Sequence, residues 1–141
     1  MKNAARILMI ALTMLPLLAT AQVGNESKLI THVPFEFMAG NKVIPAGECS
    51  VASAGVGSSQ ILIRNWSAKI SQFSMVLSSD YQKGPATNAL IFHRYGDRYF
   101  LSGMKLASTG QTYSLPAGKA EAELRARNVP ASEEILLAAV K

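Results

Sequence analysis

Apolar and polar side chains alternate at every second position along several stretches of the chain, a period typical of strands that bury one face. The first stretch spans residues 29–38, with a predicted core-facing set of Leu29, Thr31, Val33, Phe35 and Phe37. Because Pro34 has no N–H to donate to a neighbouring strand, this strand is expected at a sheet edge or with a bulge at the proline. Further strands are predicted at residues 43–44, 48–53, 60–66, 69–77 and 111–115.

The strongest local pattern is a hairpin within residues 88–105. Gly96 and Asp97 separate two β-rich runs, and glycine supplies the positive φ that a two-residue hairpin turn needs. The predicted cross-strand pairs are Tyr95 with Arg98, Arg94 with Tyr99, His93 with Phe100, and Phe92 with Leu101. One face then carries Leu90, Phe92, Arg94, Tyr99 and Leu101, and the other carries Ile91, His93, Tyr95, Arg98 and Phe100. Arg94 and Tyr99 are predicted to form a cation–π contact.

The second half of the chain adds a loop, a helix and a closing segment. Residues 78–86 are polar and rich in turn formers, so a loop is expected there. Residues 116–127 predict one short helix, supported by the helix-spaced ion pairs Glu121–Arg125 and Glu123–Arg127. Residues 134–140 fit a strand or a helical turn, and a strand is favoured because the C-terminal chain of a small β domain is usually tied into its sheet.

These elements predict a mainly β fold: a small antiparallel sandwich or barrel with one short C-terminal helix. Residues 22–141 are expected to form a single β-rich domain, since 120 residues suffice for one hydrophobic core.

The N-terminal segment has the three parts of a secretory signal peptide. Lys2 and Arg6 are its positive region, residues 7–18 its apolar core, and residues 19–21 (Ala-Thr-Ala) its small-residue cleavage site. We therefore predict a signal peptide at residues 1–21, cleavage near Ala21, and a periplasmic or extracellular protein without a transmembrane segment. An uncleaved N-terminal anchor is the alternative, although the apolar core is short for one.

Charge and cysteine content narrow the classes of partner. The chain has a net charge of +5, and without Lys2 and Arg6 it keeps 12 basic and 9 acidic residues, a net charge of about +3. Because the basic residues are scattered, nucleic-acid binding is not predicted. Cys49 is the single cysteine, which excludes an internal disulfide, and we expect it to be buried rather than to form an intermolecular bond.

The hairpin also holds the most polar cluster of the chain, which is formed by His93, Arg94, Asp97 and Arg98. With Tyr95 and Tyr99 added, these residues are the candidate binding surface. His93 could act as a general base if an acidic side chain oriented its imidazole ring. Asp97 lies four residues further on, roughly 13 Å at strand rise, and is a poor partner. His32, His93 and Cys49 come from three separate segments, so no metal site is predicted. The sequence predicts no catalytic residue and no other cofactor either.

Trp66 is expected in the core or at its rim. The alternative places it with Tyr81, Tyr95 and Tyr99 on an exposed face that binds carbohydrate or protein.

Four sets of residues stand out as motifs: Val33-Pro34-Phe35-Glu36-Phe37 with Gly40, Ile44-Pro45-Ala46-Gly47 with Val51, residues 91–101 (IFHRYGDRYFL), and Leu115-Pro116 before Glu121 and Glu123-Leu124. Together they resemble a family of short exported proteins from Gram-negative soil bacteria that has no assigned function. The resemblance covers most of residues 22–141 and implies export and a β-rich fold, without implying a reaction, a ligand or a partner. Relatives usually have Tyr at the position of Cys49.

The sequence thus favours an exported, non-enzymatic binding or structural module, with an envelope protein or polysaccharide as partner. The alternative is a carrier that holds a small apolar ligand inside a β-barrel. A hydrolase that uses His93 is the third hypothesis.

Overall fold

The computed structural model describes residues 28–54, 59–81, 83 and 87–140. The predictions of a signal peptide at residues 1–21 and of an uncleaved anchor there concern a segment outside these residues. The described strands and helix, in chain order, are β1 (Lys28–Val33), β2 (Phe37–Ala39), β3 (Lys42–Ile44), β4 (Gly47–Ser53), β5 (Gln60–Asn65), β6 (Ile70–Met75), β7 (Ser78–Tyr81), β8 (Ala89–Tyr95), β9 (Arg98–Leu106), β10 (Gln111–Ser114), α1 (Lys119–Ala126), β11 (Ser132–Leu137) and β12 (Ala139–Val140).

The strands form two sheets that pack on a common core. The first sheet has the order β12-β1-β4-β5-β6, and its neighbours are antiparallel. The second has the order β11-β8-β9-β10-β7, with β2 added to β9 in parallel and β3 paired to β2. The predicted mainly β fold is therefore confirmed as a small sandwich with one short helix, and its described strands do not close into one barrel.

Alternation along the strands directs one side of each sheet into the core. The core side chains from the first sheet are Leu29, Val33, Cys49, Val51, Ile61 and Ile63, and those from the second include Phe37, Leu90, Phe92, Leu101 and Met104. Phe37 and Phe92 meet edge to face, with ring centroids 5.2 Å apart. Asn65, the buried polar residue of β5, donates a hydrogen bond to the Pro45 carbonyl and accepts one from the Ala68 N–H.

The hairpin prediction is confirmed in detail. β8 and β9 pair with the expected register from Tyr95–Arg98 to Phe92–Leu101, and Gly96 has φ +60°. The Arg94 guanidinium lies 5.4 Å from the centre of the Tyr99 ring, as expected for a cation–π pair. A register shift follows between Ile91 and Phe92, which the sequence pattern did not indicate.

Two strand predictions need correction. Residues 29–38 form two strands instead of one, because β1 ends at Val33 and β2 begins at Phe37, with Pro34 between them. Residues 78–81 form β7 instead of a loop, because β10 supplies a complete antiparallel partner for this polar segment. The predicted helix is present, and the C-terminal segment forms strands as favoured.

Cys49 gives a test of this core. It is fully buried, and burial raises the pKa of its thiol to about 11, whereas an ordinary cysteine titrates near about 8.5. Since the thiolate is the reactive form, we expect native protein at about pH 8 to resist labelling by a disulfide reagent and to react fully once denatured. Rapid labelling of the native protein would contradict this burial.

Because the thiol pKa of Cys49 is higher in the folded protein than in the unfolded chain, the free energy of unfolding depends on pH. The folded protein holds the thiol proton more tightly than the unfolded chain does. This tighter proton binding stabilises the fold, and its contribution is complete below about pH 8.5. The stabilisation is lost as the pH rises towards 11. We expect Cys49→Ala to have a smaller alkaline loss of the free energy of unfolding than the unsubstituted protein, measured by urea unfolding across this range.

Candidate functional site

Helix α1 is fixed against the second sheet at its N-terminal end. The Lys119 N–H donates a 2.8 Å hydrogen bond to the Asn41 side-chain oxygen, which comes from the turn between β2 and β3. At Gly118, just before the helix, a Cβ atom would overlap the carbonyl oxygen of Gly40. The absence of a side chain at residue 118 therefore allows the helix to begin directly against this turn.

A buried carboxylate joins the middle of α1 to the hairpin. Glu121 is 2% exposed and is the buried residue of a helix that is otherwise mostly polar at its surface. Its Oε1 accepts hydrogen bonds from Arg125 Nη2 at 2.7 Å and from the Tyr95 hydroxyl at 3.2 Å, and lies 2.7 Å from His93 Nδ1. Arg125 Nε also donates to the Tyr95 hydroxyl at 3.1 Å. We call these four residues the Glu121 cluster.

The hydrogen-bond network assigns the proton on His93. Nδ1 lies close to both Glu121 Oε1 and Arg125 Nη2, at 2.7 and 3.2 Å, and the guanidinium can only donate. An ionised carboxylate only accepts hydrogen bonds, so the 2.7 Å contact needs a proton on the imidazole nitrogen, and we place the Nδ1 proton towards Glu121. The hydrogen bond from Arg125 to Tyr95, followed by its contact with Glu121, raises the pKa of the guanidinium.

This geometry resembles the base and orienting acid of a catalytic dyad. The carboxylate fixes one tautomer and leaves His93 Nε2 free of this contact, on a side chain that is 29% exposed. Sequence reasoning tested Asp97 as the acid and missed Glu121. The Glu121–Arg125 pair was predicted from its helical spacing, and it is present at 2.7 Å. Nothing in the local pattern indicated that α1 would return to β8.

The six predicted surface residues divide between the two faces of the hairpin. His93 and Tyr95 belong to the Glu121 cluster, and Tyr95 is buried. Arg94 and Tyr99 lie on the other face, where Tyr99 stacks on Phe35 with ring centroids 3.8 Å apart. Arg94 is also 3.5 Å from the Glu134 carboxylate.

Arg98 and Asp97 complete the set at the turn end of the hairpin. The Arg98 guanidinium lies 5.3 Å from the centre of the Phe100 ring and 3.7 Å from Met38 Sδ, and Asp97 is exposed. The structure therefore does not bring the six side chains together on one surface, and most of them contact their own chain.

A different surface collects exposed apolar side chains: the outer face of the first sheet. On β6 and just after it, Phe73, Met75 and Leu77 are 58, 62 and 68% exposed. Phe73 lies directly opposite Leu62 of β5, which turns the same face outwards. Trp66 follows β5 at the end of this face and is 50% exposed, so the expectation that it lies in the core or at its rim is wrong, and the ring lies on the outer surface of the sheet instead.

Two cationic side chains lie against the indole ring. Lys28 Nζ lies 5.0 Å and the Arg64 guanidinium 5.6 Å from the Trp66 ring centre. A hollow of about 250 Å³ beside the ring is lined by residues 64–66 and 69–71, which include Lys69. We call the set Lys28, Leu62, Arg64, Trp66, Lys69, Phe73, Met75 and Leu77 the Trp66 face.

The free edge of β6 is partly occupied by side chains of the same chain. Lys42 Nζ donates to the Ser71 carbonyl at 3.1 Å, and Gln72 Nε2 donates to the Phe73 carbonyl at 2.8 Å. A groove of about 390 Å³ runs along this edge, lined by residues 40–42, 72–75 and 116–118.

The Glu121 cluster can be tested by its contribution to stability. We expect Glu121→Ala to lower the free energy of unfolding by about 1–3 kcal/mol, because the buried Tyr95 hydroxyl and the partly buried His93 N–H lose their acceptor. Glu123→Ala is the matched control, since it removes an exposed glutamate from the same helix. Equal losses for the two variants in urea unfolding would show that the cluster does not stabilise the fold.

Comparison with known proteins identifies neither a family nor a relative for this chain. No family model matches the chain, and neither does any curated protein or any solved structure. Among the described residues, no group of three or more potential ligands is placed to hold a metal ion, and no helix has the length and apolarity to cross a membrane. The function therefore has to be inferred from the chain's own residues.

Proposed function

We propose that this chain is an exported, non-enzymatic binding module that contacts its partner through the Trp66 face. The observation that carries the proposal is the row of exposed apolar side chains on β6, together with the half-exposed Trp66 on the same face, beyond the polar pair Arg64 and Ser71. Soluble proteins rarely leave contiguous apolar groups in water unless a partner covers them. The export rests on the N-terminal sequence pattern, and the binding rests on this face.

The two outer faces of the sandwich differ in a way that supports this choice. On the second sheet, the outward residues Ile91, Tyr95 and Phe100 are buried, and α1 contacts this side through Glu121. On the first sheet, Phe73 and Met75 also point outwards, yet they are more than half exposed. Among the described residues, Ile135 and Leu137 of β11 are also exposed on the second sheet, but only on the first sheet do exposed apolar side chains share a face with the half-exposed Trp66 ring. A partner that covers this face gains by excluding water from them.

A small-ligand carrier is less well supported. Such a carrier needs an empty space between the sheets, but the side chains directed there pack against one another in one core cluster. Phe37, Phe92 and Ile63 are among the fully buried ones. We therefore favour binding at the surface over binding in the interior.

Hydrolysis with His93 as general base is the second candidate, because Glu121 orients its Nδ1 at 2.7 Å. A panel of ester, amide and glycoside substrates tests it with His93→Gln, and Arg94→Gln serves as a neighbouring control. Turnover abolished only by His93→Gln would establish the enzyme and overturn the non-enzymatic proposal. We rank binding first, because the hydrogen bonds of the Glu121 cluster already have a structural role, which is to hold α1 against β8.

The main test is retention of the protein by washed envelope fragments of its own host. We expect Phe73→Ser combined with Met75→Ser to reduce retention about tenfold or more, since two apolar contacts are lost. The matched control is Ile135→Ser with Leu137→Ser, which removes two similarly exposed apolar side chains from β11. Retention that responds equally to both pairs, or to neither, would contradict the proposal.

A further inference from the structure

We propose that the Trp66 face binds the surface of an anionic lipid bilayer. This inference rests on the proposed function and names the class of partner. It follows from three properties that occur together on this face: exposed apolar side chains, one aromatic ring with a polar N–H, and an excess of cationic groups.

The aromatic group is suited to the interface between lipid and water. Trp66 is half exposed, and an indole combines an apolar ring with one hydrogen-bond donor, which explains why Trp is enriched at membrane interfaces. Phe73, Met75 and Leu77 are also exposed and extend the apolar part of the same face. These side chains can enter the region between headgroups and acyl chains while the backbone of the sheet stays above it.

The charges favour an anionic surface over a neutral one. Lys28 and Arg64 lie within 6 Å of the Trp66 ring, at 5.0 and 5.6 Å, and Lys69 lines the adjoining hollow. In the described part of this sheet the acidic side chain is that of Glu48, which is exposed and whose backbone carbonyl accepts a hydrogen bond from the backbone N–H of Trp66. Three cations against one carboxylate complement phosphate headgroups, and each cation near such a surface strengthens binding about fivefold.

The free edge of β6 argues for a flat partner rather than an added peptide strand. An added strand needs the backbone groups along that edge. The carbonyls of Ser71 and Phe73 already accept hydrogen bonds from Lys42 and Gln72. The groups that remain for a partner to contact are therefore mainly the outward side chains. A bilayer can cover these side chains without pairing to the backbone.

The experiment uses protein purified from its own host and vesicles of two compositions. One is phosphatidylcholine alone, and the other is phosphatidylcholine mixed with phosphatidylglycerol. Binding is measured by co-sedimentation and by tryptophan fluorescence. Because Trp66 is the single tryptophan of the chain, the emission reports directly on this face. Lipids brominated on their acyl chains serve as quenchers, so the depth of the ring is tested as well.

We expect binding to anionic vesicles with a blue shift and quenching, weaker binding to neutral vesicles, and loss of binding as salt screens the charges. Lys28→Gln with Arg64→Gln should weaken binding about 25-fold, or about fivefold for each cation. The matched control is Lys119→Gln with Arg127→Gln, which removes two exposed cations from the α1 region and should leave binding unchanged. Thermal unfolding verifies that each variant is folded.

Three results would overturn the inference. The first is equal binding to neutral and anionic vesicles, and the second is binding that is insensitive to the Lys28 and Arg64 substitutions. The third is absence of vesicle binding while retention by envelope fragments still depends on Phe73 and Met75. In that third case a protein or polysaccharide is the partner, and the proposed function survives. If retention also ceases to depend on this face, the proposed function fails as well.

Discussion

The hydrogen bonds to the buried Glu121 carboxylate are the interaction on which the arrangement of the two outer faces depends. A carboxylate removed from water is costly unless donors replace the lost hydration. Here Arg125, Tyr95 and His93 all converge on one oxygen of Glu121. Two of these donors belong to β8 and one to α1, so satisfying the carboxylate holds the helix against the second sheet.

Helix α1 covers part of the outward side of the second sheet, although Ile135 and Leu137 of β11 stay exposed there. The helix contributes little apolar area of its own, and Glu121 is its buried residue. With its N-terminal end held by Asn41 and its middle by the Glu121 cluster, it lies over the outward side of the hairpin. The first sheet has no corresponding helix among the described residues, and its outward apolar side chains stay in contact with water.

The parts of the fold that were predictable are those determined by neighbouring residues. Gly96 fixes the turn, and the turn fixes the register of β8 and β9, so the facing pairs followed from the sequence. The Glu121–Arg125 pair followed from helical spacing. The contact between His93 and Glu121 joins residues 28 positions apart and requires the packing of α1 on β8. No period in the sequence encodes that packing, and for the same reason β7 could not be distinguished from a loop without its partner β10.

An exposed apolar row on an outermost strand is ordinarily a risk, because it invites pairing with another chain. Two features of β6 limit that pairing while leaving its side chains exposed. Lys42 brings a positive charge to the edge and donates to the Ser71 carbonyl, and Gln72 donates to the carbonyl of Phe73. Strand addition at these positions would first have to break hydrogen bonds that the chain already makes. Recognition through side chains alone does not carry this penalty, and it suits a partner that is broad, flat and indifferent to backbone register.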